Sequence, residues 1–327
     1  MGTLVEASFP APGAASDPQG AVLAAERRRT GRPAGVNRSL AALLRAAAPA
    51  GGAAPPSPEP APSPAPSPAQ SPASSPAASA CAACRDGREI FPFTMAFQPI
   101  VDLQEGRIDA YEALVRGPAG EGAGHVLAQV TPENTYAFDQ ACRVKAIGLA
   151  ARLGIDRQLS INFLPNAVYQ PRACIQATLR AAADTGFPRE RLTFEILESE
   201  SIADTAHLAA IIAEYRRHGF KIALDDFATG YSGLSRLAEL KPDIIKVDRA
   251  LVQDCDKDRT RLAIIASLLS LGTQIGVKVV VEGVERACEV AALRSAGARF
   301  LQGFYFARPT FEGIVHDTDI AWPEPVA

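Results

Sequence analysis

The chain has 327 residues, 47% of them hydrophobic and 21% charged, a balance that allows folded domains and excludes a wholly disordered or fibrous protein. Its formal net charge of -3 gives no overall attraction to nucleic acid or to an anionic membrane, so no nucleic-acid partner and no stable membrane insertion are expected. No apolar run approaches the ~20 residues of a membrane span, no basic-then-apolar leader opens the chain, and six scattered cysteines point to reduced thiols in the cytoplasm.

The first 80 residues offer too little apolar surface for a core. Gly51 to Ala80 is almost wholly Ala, Pro and Ser, with Glu59 its only charge. Repeated Ser-Pro and Ala-Pro steps favour extended chain and forbid a helix. Residues 1–80 are therefore expected as a disordered low-complexity tail with no room for a sensor domain. Within it, Ser39–Ala48 (SLAALLRAAA) follows Arg27, Arg28, Arg29 and Arg32. A short docking or membrane-surface helix competes there with a frayed Ala-rich segment, and any protein partner of the tail is unknown. Cys81 and Cys84 form CAAC in a lead-in of residues 81–92. A lone CxxC supplies two of the four ligands that structural zinc wants. Linker cysteines, a redox pair and a site shared across a dimer all fit the spacing.

From Phe93 onward strand and helix signals alternate, over an expected barrel domain of residues 93–316 with a C-terminal tail at 317–327. FTMAFQPIVDL (Phe93–Leu103) and RIDAYEALVRG (Arg107–Gly117) read as two strands joined by a tight turn at Glu105-Gly106. A helix is expected over about Pro132–Leu153, a strand at Leu159–Leu164, a helix at Pro171–Thr185, a strand at Leu192–Leu197 and a helix at Thr205–His218. KIALDDF (Lys221–Phe227) reads as a strand, with a short helix from Tyr231. Then come a strand at Asp243–Asp248, a helix at Arg259–Ile275, a strand at Val277–Val284, a helix at Ala287–Ala296 and a closing strand at Arg299–Phe306. Strands alternating with helices indicate a parallel sheet, and this number of them indicates α/β architecture: a TIM-like (β/α)8 barrel with an antiparallel first strand.

Nearly every strand sets a polar residue toward its C-terminal end: Glu112, Asn162, Glu195, Asp225 with Asp226, Lys246 with Asp248, Glu282 and Gln302. Period-two alternation turns most of these inward. Asp225 and Asp226 are adjacent, so they serve one site only if the strand splays there. Barrel enzymes build their active sites at this face. Carboxylates gathered there repel unless cations take up the charge. An all-oxygen set without His or Cys favours Mg²⁺ or Mn²⁺ over zinc.

These residues stand in an order that resembles the EAL family of cyclic di-GMP phosphodiesterases. The name-giving Glu112-Ala113-Leu114 is followed by Val115 and Arg116, and the likeness runs from about Thr94 to Pro309. It includes QPIV at Gln98, Asn162, Glu195 with Glu198, DDFATGYSG, KPDIIKVD, VEGVE and QGFYFARP. The resemblance implies a divalent-metal-dependent hydrolase that opens cyclic di-GMP to pGpG, with two Mg²⁺ or Mn²⁺ ions per site and Ca²⁺ inhibitory. It implies Glu112, Asn162, Glu195, Asp225 and Asp226 as metal ligands, with Asp248 and Glu282 completing the set directly or through water. Lys246 would hold the nucleophilic water, and Glu282 is the candidate base. Gln98, Leu114, Arg116 and Gln302 would contact substrate, and Glu198 would anchor the loop Ala228–Ser232. A homodimer is likewise implied, with the helix after KVDRALV and the loop after Asp226 near the contact. Ala228, Leu197 and Gly233 depart from the usual Gly, Thr and Ser of the family. No ligand is missing. The alternative is a catalytically silent cyclic di-GMP receptor or interaction module on the same fold.

Overall fold

A computed structural model describes residues 91–168, 170–198, 205–228 and 233–324. The expected tail, the Ser39–Ala48 helix and the CAAC pair lie outside the described residues. The chain begins its regular structure with β1 (Thr94–Asp102) and β2 (Arg107–Arg116), followed by α1 (Ala123–Leu127), α2 (Thr135–Arg152) and β3 (Gln158–Asn162). Next come α3 (Pro171–Cys174), α4 (Gln176–Thr185), β4 (Leu192–Leu197), α5 (Thr205–Arg217) and β5 (Lys221–Phe227). The second half runs α6 (Gly233–Leu240), β6 (Ile244–Val247), α7 (Arg249–Val252), α8 (Arg259–Ile275), β7 (Lys278–Val281), α9 (Ala287–Ser295), β8 (Phe300–Leu301) and β9 (Thr310–Phe311).

Strands β2 to β8 pair in sequence order and in parallel. β1 closes the ring, antiparallel to β2 on one edge and to β8 on the other. Closure leaves no long exposed edge. β9 adds a short antiparallel pairing to β1 at Ala96 and Phe97. The strands are apolar on both faces because helices cover the outside while side chains fill the interior; all six residues of β4 are buried. Inside, Ile100, Ala110 and Val280 form a small cluster, whereas the larger core lies between sheet and helices. Helix ends follow local chemistry. Asp258 caps α8 by accepting from Thr260 N and Arg261 N, and Gly276 ends it in the left-handed region.

Two of the differences from the sequence reading concern the end of the chain. The expected strand Arg299–Phe306 shrinks to Phe300–Leu301 because the chain turns at Gly303, where any Cβ would run into the backbone of Val284. The close crossing is fixed by Tyr305 N donating to Val284 O at 3.0 Å and Val284 N to Gln302 O at 3.1 Å. At the C-terminus, Asp317 Oδ1 accepts from Ile108 N at 2.5 Å, and buried Ile320 joins the core, so residues up to Glu324 pack onto the barrel. Among the described residues no helix is long and apolar enough to cross a membrane.

Candidate functional site

Lys246, on β6, lies at the centre of the polar cluster. Its ammonium lies 2.7 Å from Glu282 Oε1, 2.8 Å from Glu195 Oε1, 3.4 Å from Asp225 Oδ1 and 3.5 Å from Glu112 Oε2. The four carboxylates come from β2, β4, β5 and the end of β7, so period-two alternation on four strands delivers them to one point. Lys246 is 1% exposed, and the Glu282 side chain, at 17%, is the one that reaches toward the mouth. Burial alone would drive the ammonium toward neutrality, but Asp225, Glu112, Glu195 and Glu282 together hold its pKa well above the usual lysine value. Burial pushes the Glu195 carboxyl up to about 8, partly offset by Lys246 and reinforced by Glu112 and Asp225. Asp225 and Glu282 are raised for the same first reason, loss of water.

A chain of amides extends the cluster. Asn162 Nδ2 donates to Glu112 Oε1 at 3.3 Å, and Gln302 Nε2 donates to Glu112 Oε2 at 2.8 Å and to Gln98 Oε1 at 3.3 Å. Gln98 sits directly across the β1–β2 ladder from Glu112 and donates in turn to Ala307 O at 3.1 Å. Backbone acceptors such as Ala307 O leave no mark in a sequence pattern.

The paired aspartates are resolved by a bulge. Between Leu224↔Ile245 and Phe227↔Val247 the β5–β6 register shifts, so Asp225 and Asp226 together oppose the single residue Lys246. Asp226 takes φ 53° and Ala228 φ 73°, left-handed values unusual for residues with a side chain. Beneath this turn lies Glu198, fully buried, whose Oε2 accepts from Ala228 N at 2.7 Å. Gly233 packs against the same carboxylate: an added Cβ would sit 3.1 Å from Glu198 Cδ. Residues 229–232 lie outside the described part.

Glu112, Leu114 and Arg116 share one face of β2, and Arg116 Nη1 donates to Val115 O at 2.7 Å. Burial lowers the Arg116 pKa against the pull of Glu112. Arg116 forms no ion pair among the described residues. Leu114 and Asn162 both line a cleft with Met95, Ala123 and Cys142. Asp248 directly follows β6, and its carboxylate caps α7 by accepting from Ala250 N at 2.7 Å.

Among the described residues no three Asp, Glu, His or Cys side chains form a ready-made metal cage, because the carboxylates close on the Lys246 ammonium instead. The donor chemistry nevertheless suits a hard divalent cation. Four carboxylates face one ammonium, and Glu195 Oε2 and Gln302 Oε1 are buried without a hydrogen-bond partner among the described residues.

A family model of the EAL domain matches residues 84–309. Among solved structures, a standalone versatile EAL protein from Vibrio cholerae O395 in its c-di-GMP bound form is 46% identical with a TM-score of 0.67, the match covering 70% of this chain and 97% of that one. BlrP1 of Klebsiella pneumoniae, in a manganese/cy-diGMP complex, is 35% identical with a TM-score of 0.66, covering 70% of this chain and 59% of that one. A curated relative, the probable cyclic di-GMP phosphodiesterase PdeG of Escherichia coli (strain K12), is 30% identical over 68% of this chain and 45% of its own length. The chain spans about half or less of the length of the curated relatives it matches.

Proposed function

The chain belongs to the EAL domain family, and on that premise we propose that it hydrolyses cyclic di-GMP to linear pGpG with the aid of divalent cations. The observation that carries this reading is the convergence of Glu112, Glu195, Asp225 and Glu282 on Lys246 at one end of the barrel, with carboxylate charge left in excess. Glu112, Asn162, Glu195, Asp225 and Asp226 would hold Mg²⁺ or Mn²⁺, two ions to a site, with Asp248 and Glu282 completing the set directly or through water. Bound there, the cations would lower the pKa of water and draw off charge developing on the phosphate.

The remaining chemistry falls to the chain itself. Lys246 is held protonated by its four neighbours, so it serves as a fixed positive charge and N–H donor to the attacking water, and not as a base. Glu282 reaches the mouth and is the base that takes the water's proton. Arg116 presents a planar fork suited to a phosphate or a guanine edge. Gln98, Leu114 and Gln302 line the substrate side, and Glu198 fixes the turn after Asp226 through Ala228 N.

Two copies of the chain would pair through α6 and α8. Leu234 is 64% exposed, Ile275 49% and Ile264 41%, and of the apolar α8 only Ile265, Leu268 and Gly272 are buried. The four described cysteines are free thiols, which supports a reducing, cytoplasmic setting.

The test is a turnover assay of the purified chain on cyclic di-GMP with Mg²⁺, Mn²⁺, Ca²⁺ or chelator. Release of pGpG in Mg²⁺ and Mn²⁺ but not in Ca²⁺ or chelator is expected, since Ca²⁺ prefers more ligands at longer distances. A chain that binds cyclic di-GMP but never cleaves it would be a receptor.

A further inference from the structure

Helix α2 carries an ion pair that the hydrolytic site does not use. Asp139 Oδ2 and Arg143 Nη2 lie 2.6 Å apart, and both side chains are 0% exposed. The pair lies on the outer side of the sheet. Arg143 Nη1 donates to the Tyr215 hydroxyl of α5 at 2.9 Å, and its guanidinium lies 5.4 Å from the centre of the Phe163 ring. The second carboxylate oxygen, Asp139 Oδ1, accepts from Leu164 N at 3.1 Å. Replacing such a buried pair by apolar side chains often leaves stability unchanged or raises it, so stability alone does not explain its presence.

Its contacts fall on the two residues that follow Asn162. β3 ends at Asn162, and beyond it the ladder no longer directs the backbone. Phe163 N still reaches Glu195 O at 2.9 Å, but Leu164 turns away into the short helix Pro165–Ala167. Leu164 N is then satisfied by Asp139, and the Phe163 ring is packed between Arg143 and Tyr215, 5.1 Å from the latter. Both contacts fix the backbone just after Asn162, which the β3–β4 ladder holds opposite Glu195. Asn162 Nδ2 is committed to Glu112 Oε1, which leaves Oδ1 as the atom offered to a cation.

We propose that Asp139, balanced by Arg143, is a positioning residue that orients Asn162 toward the divalent cation by holding Leu164 N from outside the barrel. The inference rests on the reading of Asn162 as a metal ligand. It acts through backbone, not by touching metal or substrate. Partners that hydrogen-bond a metal ligand directly typically change metal affinity by ~10–100-fold when removed, and an effect at the lower end of that range is expected here.

The test compares two double variants in which the ion pair is gone. Asp139→Asn with Arg143→Met keeps an oxygen that can accept from Leu164 N; Asp139→Leu with Arg143→Met does not. Both have lost the same charges and the same contact to Tyr215. Mn²⁺ affinity is measured by calorimetry without substrate, with thermal melts to confirm folding. The asparagine variant is expected within about twofold of wild type, and the leucine variant weaker by about tenfold or more. Equal Mn²⁺ affinity in the two folded variants would overturn the inference, as would a wild type that binds no Mn²⁺. Should the leucine variant not fold, Asp139→Ala with Arg143→Met takes its place. There the ion pair stays lost and Leu164 N again has no acceptor, so a loss of about tenfold or more against the asparagine variant supports positioning, and equal affinity contradicts it. Because Mn²⁺ binding is read without turnover, a wild type that binds the metal but cleaves nothing would count against hydrolysis and leave the positioning role standing.

Discussion

Ala228 holds φ at 73°, a region where a Cβ is strained and glycine is not. Its N–H is committed to Glu198 Oε2, so the turn cannot relax without giving up that bond. Ala228→Gly should therefore stabilise the protein by about 1 kcal/mol, the relieved strain outweighing glycine's extra unfolded-state entropy. A chemical-denaturation midpoint that fell instead would show that the alanine is at ease there. Glu198 is the other half of the same device. Glu198→Ala removes the acceptor and opens space beside Gly233, so it should weaken metal binding and lower turnover at limiting Mg²⁺ while the barrel stays folded. Unchanged activity at limiting Mg²⁺ would remove Glu198 from the loop's support. The sequence already raised the question at Ala228, where glycine is usual in the family. It carried no sign that Asp226 needs a positive φ, because that follows from the β5–β6 register shift.

At the scale of elements, four strand ends crowd carboxylates around the ammonium of a fifth. Without metal this arrangement binds protons more readily than the unfolded chain does. Glu195 illustrates the sign: its carboxyl is pushed up to about 8, from an ordinary value of 4.5. The stability it contributes is complete below the ordinary carboxylate range and is lost as pH rises toward 8. In chelator, the midpoint of thermal unfolding should fall between pH 5.5 and 8.5, and saturating Mg²⁺ should flatten the trend by supplying the missing positive charge. A metal-free protein more stable at the alkaline end would contradict the charge balance drawn around Lys246. The strands that deliver these groups were readable because burial on both faces makes continuous apolar runs, as in LTFEIL. The strand expected at Arg299–Phe306 runs past the observed β8 because its end is set by the close approach of Gly303 to Val284, a tertiary contact. β9 and α7 are too short for periodicity to reveal. Asp248, expected on the strand face with Lys246, lies one residue past β6, where its carboxylate caps α7.

For the whole molecule, the barrel leaves apolar side chains on α6 and α8 in water, which is costly unless another surface covers them. Sedimentation at micromolar concentration should give a dimer, and Leu234→Asp with Ile264→Asp should give monomers; a fully active wild-type monomer would end that account. The central claim is that the cluster around Lys246 performs chemistry and does not merely bind a nucleotide. On that claim Lys246 would act where the water attacks, so losing it should leave ground-state affinity nearly intact. The direct measurement pairs cyclic di-GMP affinity by calorimetry in Ca²⁺ with pGpG release in Mg²⁺, on wild type, Lys246→Ala and Arg116→Ala. Lys246→Ala is expected to lose ~10²–10³ in turnover while still binding, and Arg116→Ala to bind more weakly. A wild type that binds tightly and releases no pGpG, or a Lys246→Ala variant that turns over undiminished, would contradict it.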